Sequence, residues 1–179
     1  MDNSFIKDRL VQKFQENIYG YEEHFGVLTL YANKDFNLKI LQYLYDDEQL
    51  SFKFLKDLTA IHYPNNVGEE LVVTYLVYNL YEGVEVRLKF VLPIEKPSIF
   101  TATKLFETAN WLEREAYDFY GVDFVGHPNL IRVMNVPEMD YHPLRKEFPL
   151  EDQTRKDKDD DMFGRGGDFN YGGFNVKAN

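Results

Sequence analysis

Glu70–Leu92 reads ELVVTYLVYNLYEGVEVRLKFVL. Its first half is dense in Val, Leu and Tyr, residues that favour a pleated, half-buried surface. Its second half alternates strictly. Val84, Val86, Leu88 and Phe90 point one way, and Glu85, Arg87 and Lys89 the other. A period of two is that of a strand with one packed face and one face that is wet or paired. Tyr81-Glu82-Gly83 between the halves supplies the turn. The segment is therefore an antiparallel hairpin, and a sheet built on it lies at the centre of the fold.

Working outward, Phe52–His62 (FKFLKDLTAIH) is a third strand, stopped by Pro64 before the turn NNVGE. Val27–Tyr31 is a short strand. Ser4–Ile18 carries Phe5, Ile6, Leu10, Val11, Phe14 and Ile18 at helical spacing, with Ser4 as cap and Gly20 as terminator. Asn33 caps a second helix bearing Phe36, Ile40, Leu41, Leu44 and Tyr45. Asp46, Asp47 and Glu48 close that helix against its dipole, so its last turn is expected to fray. Pro93 and Pro97 bracket a linker. Ser98–Phe106 is expected to begin a helix, and Asn110–Tyr120 to continue it or form another. The order of elements predicts one α+β domain over residues 1–150, with helices packed on a mostly antiparallel sheet. Residues 151–179 are charged, then rich in Gly and Asn, and cannot bury a core. They read as an extended C-terminal tail, disordered alone or ordered on a partner through Met162, Phe163, Phe169, Tyr171 and Phe174.

The formal net charge of −10 argues against a nucleic-acid partner and against docking on an anionic membrane surface. The absence of cysteine excludes disulfides, thiolate catalysis and Cys-ligated zinc or iron–sulfur centres in this chain. The N-terminus has no apolar core of a signal peptide, and no run approaches the ~20 apolar residues of a membrane span. No phosphate-binding glycine loop or nucleophile elbow occurs. His127 and His142 each precede a proline, Pro128 and Pro143, and read as turn formers rather than metal ligands.

One stretch departs from ordinary surface patterning. Ala109–Arg132, ANWLEREAYDFYGVDFVGHPNLIR, mixes Glu113, Arg114, Glu115, Asp118 and Asp123 among five aromatics, until Gly121 and Gly126 break the helix. A surface helix would separate charge from aromatic. Some of these charges must therefore face protein, and buried charges need partners. Ion pairs with Arg114, Arg132 and Arg145 are the expected solution. The competing possibility is an acid/base pair of Glu115 and Asp118, neighbours at i+3 on a helix.

These residues carry a resemblance. Glu113, Arg114, Glu115, Asp118, Gly121, Gly126, His127, Pro128, Leu130 and Arg132 match the pattern E-R-E-x-x-D-x-[FY]-G-[IV]-x-F-x-G-H-P-x-L-x-R. That pattern belongs to the 30 kDa, or C-type, subunit family of NADH-quinone oxidoreductase, respiratory complex I. DLTAIHYP at Asp57–Pro64 and HPLRKEFPL at His142–Leu150, with His142, Pro143 and Arg145, also resemble that family. The resemblance implies a peripheral-arm subunit on the cytoplasmic side of the cell inner membrane. It implies no cofactor in this chain, with iron–sulfur clusters and flavin in partner subunits. It implies packing on the large D-type quinone-site subunit and neighbouring iron–sulfur subunits. The motif residues are then interface and structural residues, with no catalytic, cofactor or metal role. An equivalent subunit of a membrane-bound NiFe hydrogenase or formate hydrogenlyase is the alternative. His62 stands where that family commonly has Asp, which puts any ion pair of that Asp in question.

Overall fold

The computed structural model describes residues 1–148. Its centre is the expected hairpin: β4 (Leu71–Asn79) and β5 (Val84–Leu92) pair antiparallel from Leu71↔Leu92 to Asn79↔Val84. β3 (Phe54–His62) adds antiparallel to β4, with an irregularity between Leu55 and Asp57. β2 (Val27–Ala32) lies parallel to the other side of β5, and β1 (Ile18–His24) adds antiparallel to β2. The order is β1-β2-β5-β4-β3, so three of four pairings are antiparallel.

The alternation in β5 is realised. Val86, Leu88, Phe90 and Leu92 are buried, while Glu85, Arg87 and Lys89 are half-buried on the other face. There Lys89 reaches Glu22 at 3.3 Å and Lys56 reaches Glu85 at 2.6 Å. Three helices cover the packed face. α1 (Asn3–Phe14) buries Ile6, Leu10 and Phe14, and α2 (Asn37–Asp46) buries Ile40, Leu41 and Leu44. α3 (Ala109–Tyr120) lies along β3. Edge-to-face ring pairs at 5.6–5.7 Å between centroids join α1 to α2 (Phe14–Tyr43), α2 to the segment before α3 (Tyr45–Phe106) and β4 to β5 (Tyr75–Phe90). Each fully buried Leu, Ile or Phe stabilises the fold by roughly 1.5–3 kcal/mol.

Four local expectations are corrected. Ser4 is not the cap of α1: Asp2 occupies that position and makes no side-chain cap bond. The helix stops at Phe14, where Gln15 takes φ +47°. Ile18 and Gly20 belong to strand β1. α2 does not fray. Asp47 Oδ1 accepts from the N–H groups of Gln49 (3.0 Å) and Leu50 (3.2 Å), and Arg9 pairs with its Oδ2 at 2.6 Å. The acids that oppose the dipole thus fasten the next turn. Ser98–Phe100 is a strand, β6, not a helix start. It pairs in parallel with β7 (Asp123–Val125), a partner delivered by α3. The tail expectation for 151–179 lies outside the described residues.

Candidate functional site

α3 is the spine of the site. Its end is set by Gly121, at φ +76° in the left-handed region that favours glycine. A Cβ there would sit 2.5 Å from the His142 ring and 2.6 Å from the Arg145 guanidinium. Those two side chains occupy this space because they cap the helix. The last carbonyls of a helix have no partners within it. Here each is supplied. Gly121 N–H donates to Tyr117 O (2.8 Å), and Arg132 Nη1 and His142 Nδ1 donate to Asp118 O (both 3.0 Å). Leu144 N–H donates to Phe119 O (3.2 Å) and Arg145 Nε to Tyr120 O (2.7 Å). Two arginines at this end also complement the helix dipole.

Asp118 organises the loop that follows. Its side chain is fully buried and accepts five hydrogen bonds. Oδ1 takes Arg132 Nη1 (2.6 Å) and Asn135 Nδ2 (3.0 Å). Oδ2 takes the backbone N–H groups of Val133 (3.0 Å), Met134 (2.8 Å) and Asn135 (3.0 Å). Burial pushes its pKa up. The Asn135 and Met134 amides, the Asn135 side chain and Arg132 outweigh that and hold it well below the usual carboxylate range. Arg132 forks onward, donating through Nη2 to the carbonyls of Met139 and Tyr141 (both 2.8 Å). One ion pair thereby holds residues 131–141 against α3.

The other expected ion pairs do not form. Glu113, also fully buried, meets no arginine among the described residues. Its Oε2 accepts from Thr101 Oγ1 (2.5 Å) and its Oε1 from Ala102 N–H (2.7 Å), tying α3 to the end of β6. Burial raises its pKa to about 7 against those two bonds. Arg114 forms no ion pair among the described residues. It donates to the carbonyls of Ile131 (3.1 Å) and Arg132 (3.4 Å) and lies 4.9 Å over the Trp111 ring. Arg145 binds a carbonyl, as above. An arginine serves such carbonyls as readily as carboxylates, which is why counting charges overestimated the pairs.

Glu115 is exposed while Asp118 is fully engaged, so the two make no acid/base pair. His127 is a turn former: Nε2–H donates to Asn110 O (3.2 Å) and Nδ1 accepts from Asn129 N–H (3.0 Å), beside Pro128. Gly126, at φ +86°, lets the chain leave β7. Burial lowers the pKa of both His127 and His142, and neighbouring arginines push the same way. His142, followed by Pro143, packs edge-on against Tyr117 at 6.0 Å. Among the described residues, no cluster of three His, Asp or Glu side chains could hold a metal ion.

His62 answers its own question. Buried at the end of β3, its Nδ1 accepts the N–H of Lys146 at 2.9 Å. Glu147 lies 3.5 Å from the same nitrogen, but a lone pair already engaged by an amide cannot also donate, so the bond to Lys146 is the contact. The ring does here what a carboxylate would do: it receives the loop. Val133, Met134, Asn135, Thr101 and Ala102 are the partners that sequence reasoning missed. All but Thr101 act through backbone N–H, which leaves no mark on residue identity.

The loop exposes several apolar side chains beside the acidic Glu138 and Asp140. Trp111, Ile131, Met134 and Val136 are exposed on the framework that Asp118 and Arg132 hold. No helix among the described residues is long and apolar enough to cross a membrane.

The family model for the respiratory-chain NADH dehydrogenase 30 kDa subunit matches residues 30–154. The NADH-quinone oxidoreductase C-type subunit of Citrifermentans bemidjiense is 35% identical over 157 residues, covering 87% of this chain and 94% of that protein. The corresponding proteins of Mycolicibacterium paratuberculosis and a Nocardioides species are 33% and 35% identical, and this chain spans 65% and 51% of their lengths. Among solved structures, the trypsin-resistant fragment (1-134) of Nqo5 is similar with TM-score 0.62 at 27% identity, covering 73% of this chain and 100% of the fragment. A chain of an archaeal membrane-bound sulfane sulfur reductase shares the fold with TM-score 0.70 at 22% identity, covering 87% of this chain and 96% of that one. The chain belongs to the 30 kDa subunit family of the respiratory-chain NADH dehydrogenase.

Proposed function

We propose that the chain is a cofactor-free peripheral-arm subunit of a proton-translocating NADH-quinone oxidoreductase. It scaffolds the quinone and iron–sulfur module for electron transfer to quinone. Its principal partner is the large D-type quinone-site subunit, with iron–sulfur subunits beside it. The clusters and flavin belong to those partners, and the chain sits peripherally on the cytoplasmic side of the cell inner membrane. One observation carries this reading. Ile131, Met134 and Val136 are exposed on a loop whose backbone is held by buried charge, and Trp111 is exposed on α3, the helix to which that loop is tied. Exposed apolar side chains on a rigid frame suit a partner surface better than solvent.

The test is Arg132→Ala in cells that make the whole complex. It strands Asp118 and frees residues 131–141, at a cost on the order of 3 kcal/mol. Gentle solubilisation and affinity purification of the tagged wild-type chain should recover the large quinone-site, iron–sulfur and membrane subunits. The variant should recover markedly less. Wild-type recovery by the variant would overturn the role of the loop. A nickel-site large subunit among the companions would overturn the choice of complex.

A further inference from the structure

The opposite end of the sheet carries a second exposed apolar group that neither the signature motif nor the loop explains. β1 and β2 are joined by Phe25 and Gly26, both at positive φ (+52° and +79°). Positive φ at both central residues marks the type I′ hairpin turn, in which Asn-Gly is preferred. Phenylalanine gains nothing there. Its Cβ is crowded by the backbone, and its ring is fully exposed. The parallel register Leu28↔Val86 places this tip beside the β4–β5 turn, where Leu80 and Tyr81 are also exposed. A cavity of about 360 Å³ separates the two tips, with Asp2, Phe25, Val27, Tyr78, Val84 and Glu85 in its walls.

Hydrogen bonds tie both tips to neighbouring elements. Asn3 Nδ2 donates to Gly26 O (3.0 Å). Asn79, buried, accepts the N–H groups of Tyr81 (2.8 Å) and Glu82 (3.0 Å) on its Oδ1 and anchors its Nδ2 on Leu50 O (2.7 Å). A solvent-exposed aromatic on a backbone conformation that disfavours it is suited to anchoring a contact. The charge around it narrows the partner. Asp2 and Glu23 are exposed and form no ion pair among the described residues, whereas Glu82 pairs with the N-terminal ammonium and Glu85 with Lys56, so Asp2 and Glu23 are the carboxylates left to meet a partner.

We infer that the two hairpin tips form a second docking surface, in which Phe25 inserts into an apolar socket, rimmed by lysine or arginine, on a neighbouring subunit of the same complex. The inference rests on membership of a multi-subunit complex and is independent of what the Asp118 loop binds.

Phe25→Asn restores the preferred turn, so the isolated chain should gain about 2–4 °C in Tm. Wild-type and variant chains bearing different tags, produced together in cells making the complex, compete for incorporation. The variant should enter at least about tenfold less than wild type. Para-benzoylphenylalanine in place of Phe25, irradiated in the intact complex, should form an adduct with another subunit at an apolar segment containing Lys or Arg. Equal incorporation overturns the inference. So does an adduct with lipid, with a second copy of this chain, or with nothing. Normal incorporation of Phe25→Asn beside loss of Arg132→Ala would remove this surface and leave the proposed function standing.

Discussion

At the scale of single residues, Asp118 and Gly121 show how much one position can hold. Asp118→Asn keeps the shape of the side chain but turns an amide NH₂ toward backbone donors and leaves Arg132 without its charge partner. A loss on the order of 3 kcal/mol is expected at pH 7, read from urea unfolding. The pH dependence follows from the sign of the shift. A carboxyl held below its unfolded value contributes stability above about pH 4 and loses it as pH falls further. Wild type should therefore weaken below pH 4 by up to about 1.4 kcal/mol per pH unit from this group, and Asp118→Asn should lack that component. An identical acid limb in both proteins would show that Asp118 is not strongly perturbed. Gly121→Ala tests the close approach. Two glycines at similar φ provide the contrast: a Cβ at Gly83 (φ +67°) meets nothing nearer than 3.7 Å, whereas one at Gly121 meets the His142 ring at 2.5 Å. Gly83→Ala should cost roughly 1 kcal/mol, the conformational penalty alone. Gly121→Ala should cost clearly more, because His142 and Arg145 must leave the helix carbonyls they cap.

At the scale of elements, the sequence displayed what has a period and hid what does not. The β4–β5 hairpin was legible because Val86, Leu88 and Phe90 alternate with charge. β1 was not, because only Ile18 of its seven residues is buried, as suits an edge strand. β6 and β7, of three residues each, are too short for periodicity and exist because α3 returns the chain to Pro97–Phe100. The crowding of charge in Ala109–Arg132 correctly indicated that some of its charges face protein, but not which: Glu113, Arg114 and Asp118 are buried, whereas Glu115 and Asp123 are exposed. The partners of Glu113 were not legible, since Ala102 offers only its backbone. This carboxyl, with a pKa raised to about 7, has the opposite sign to Asp118. Its folded form holds a proton that the unfolded chain releases, so stability falls as pH rises from about 4.5 to about 7 and is flat above. The integrated change is on the order of 3 kcal/mol. Glu113→Gln keeps both bonds, accepting from Ala102 and donating to Thr101, without the charge. Its urea midpoint should not fall across that window as wild type's does. Parallel curves would assign the titration elsewhere.

At the scale of the whole molecule, the sheet separates two surfaces. His62, at the far end of β3, receives Lys146 and so seats the end of the signature loop. Phe25 and Tyr81 stand at the other end of the strands. Nine residues of β4 put the two ends about 30 Å apart. A rigid body with a contact at each end can fix the spacing of two neighbours without doing chemistry. The seating of the loop by His62 is the piece open to direct test in the isolated chain. Aspartate at 62 offers the same N–H acceptor, whereas leucine fills the space and removes the acceptor of the Lys146 amide, at about 0.5–1.5 kcal/mol. Local opening of residues 145–148 governs how fast trypsin cuts after Lys146. His62→Leu should accelerate that cut about tenfold or more, and His62→Asp should leave it within a factor of about three. Equal acceleration in both variants would mean that the imidazole is valued for packing rather than for its lone pair. No acceleration in either would mean that Arg132 and Arg145 alone keep the loop in place.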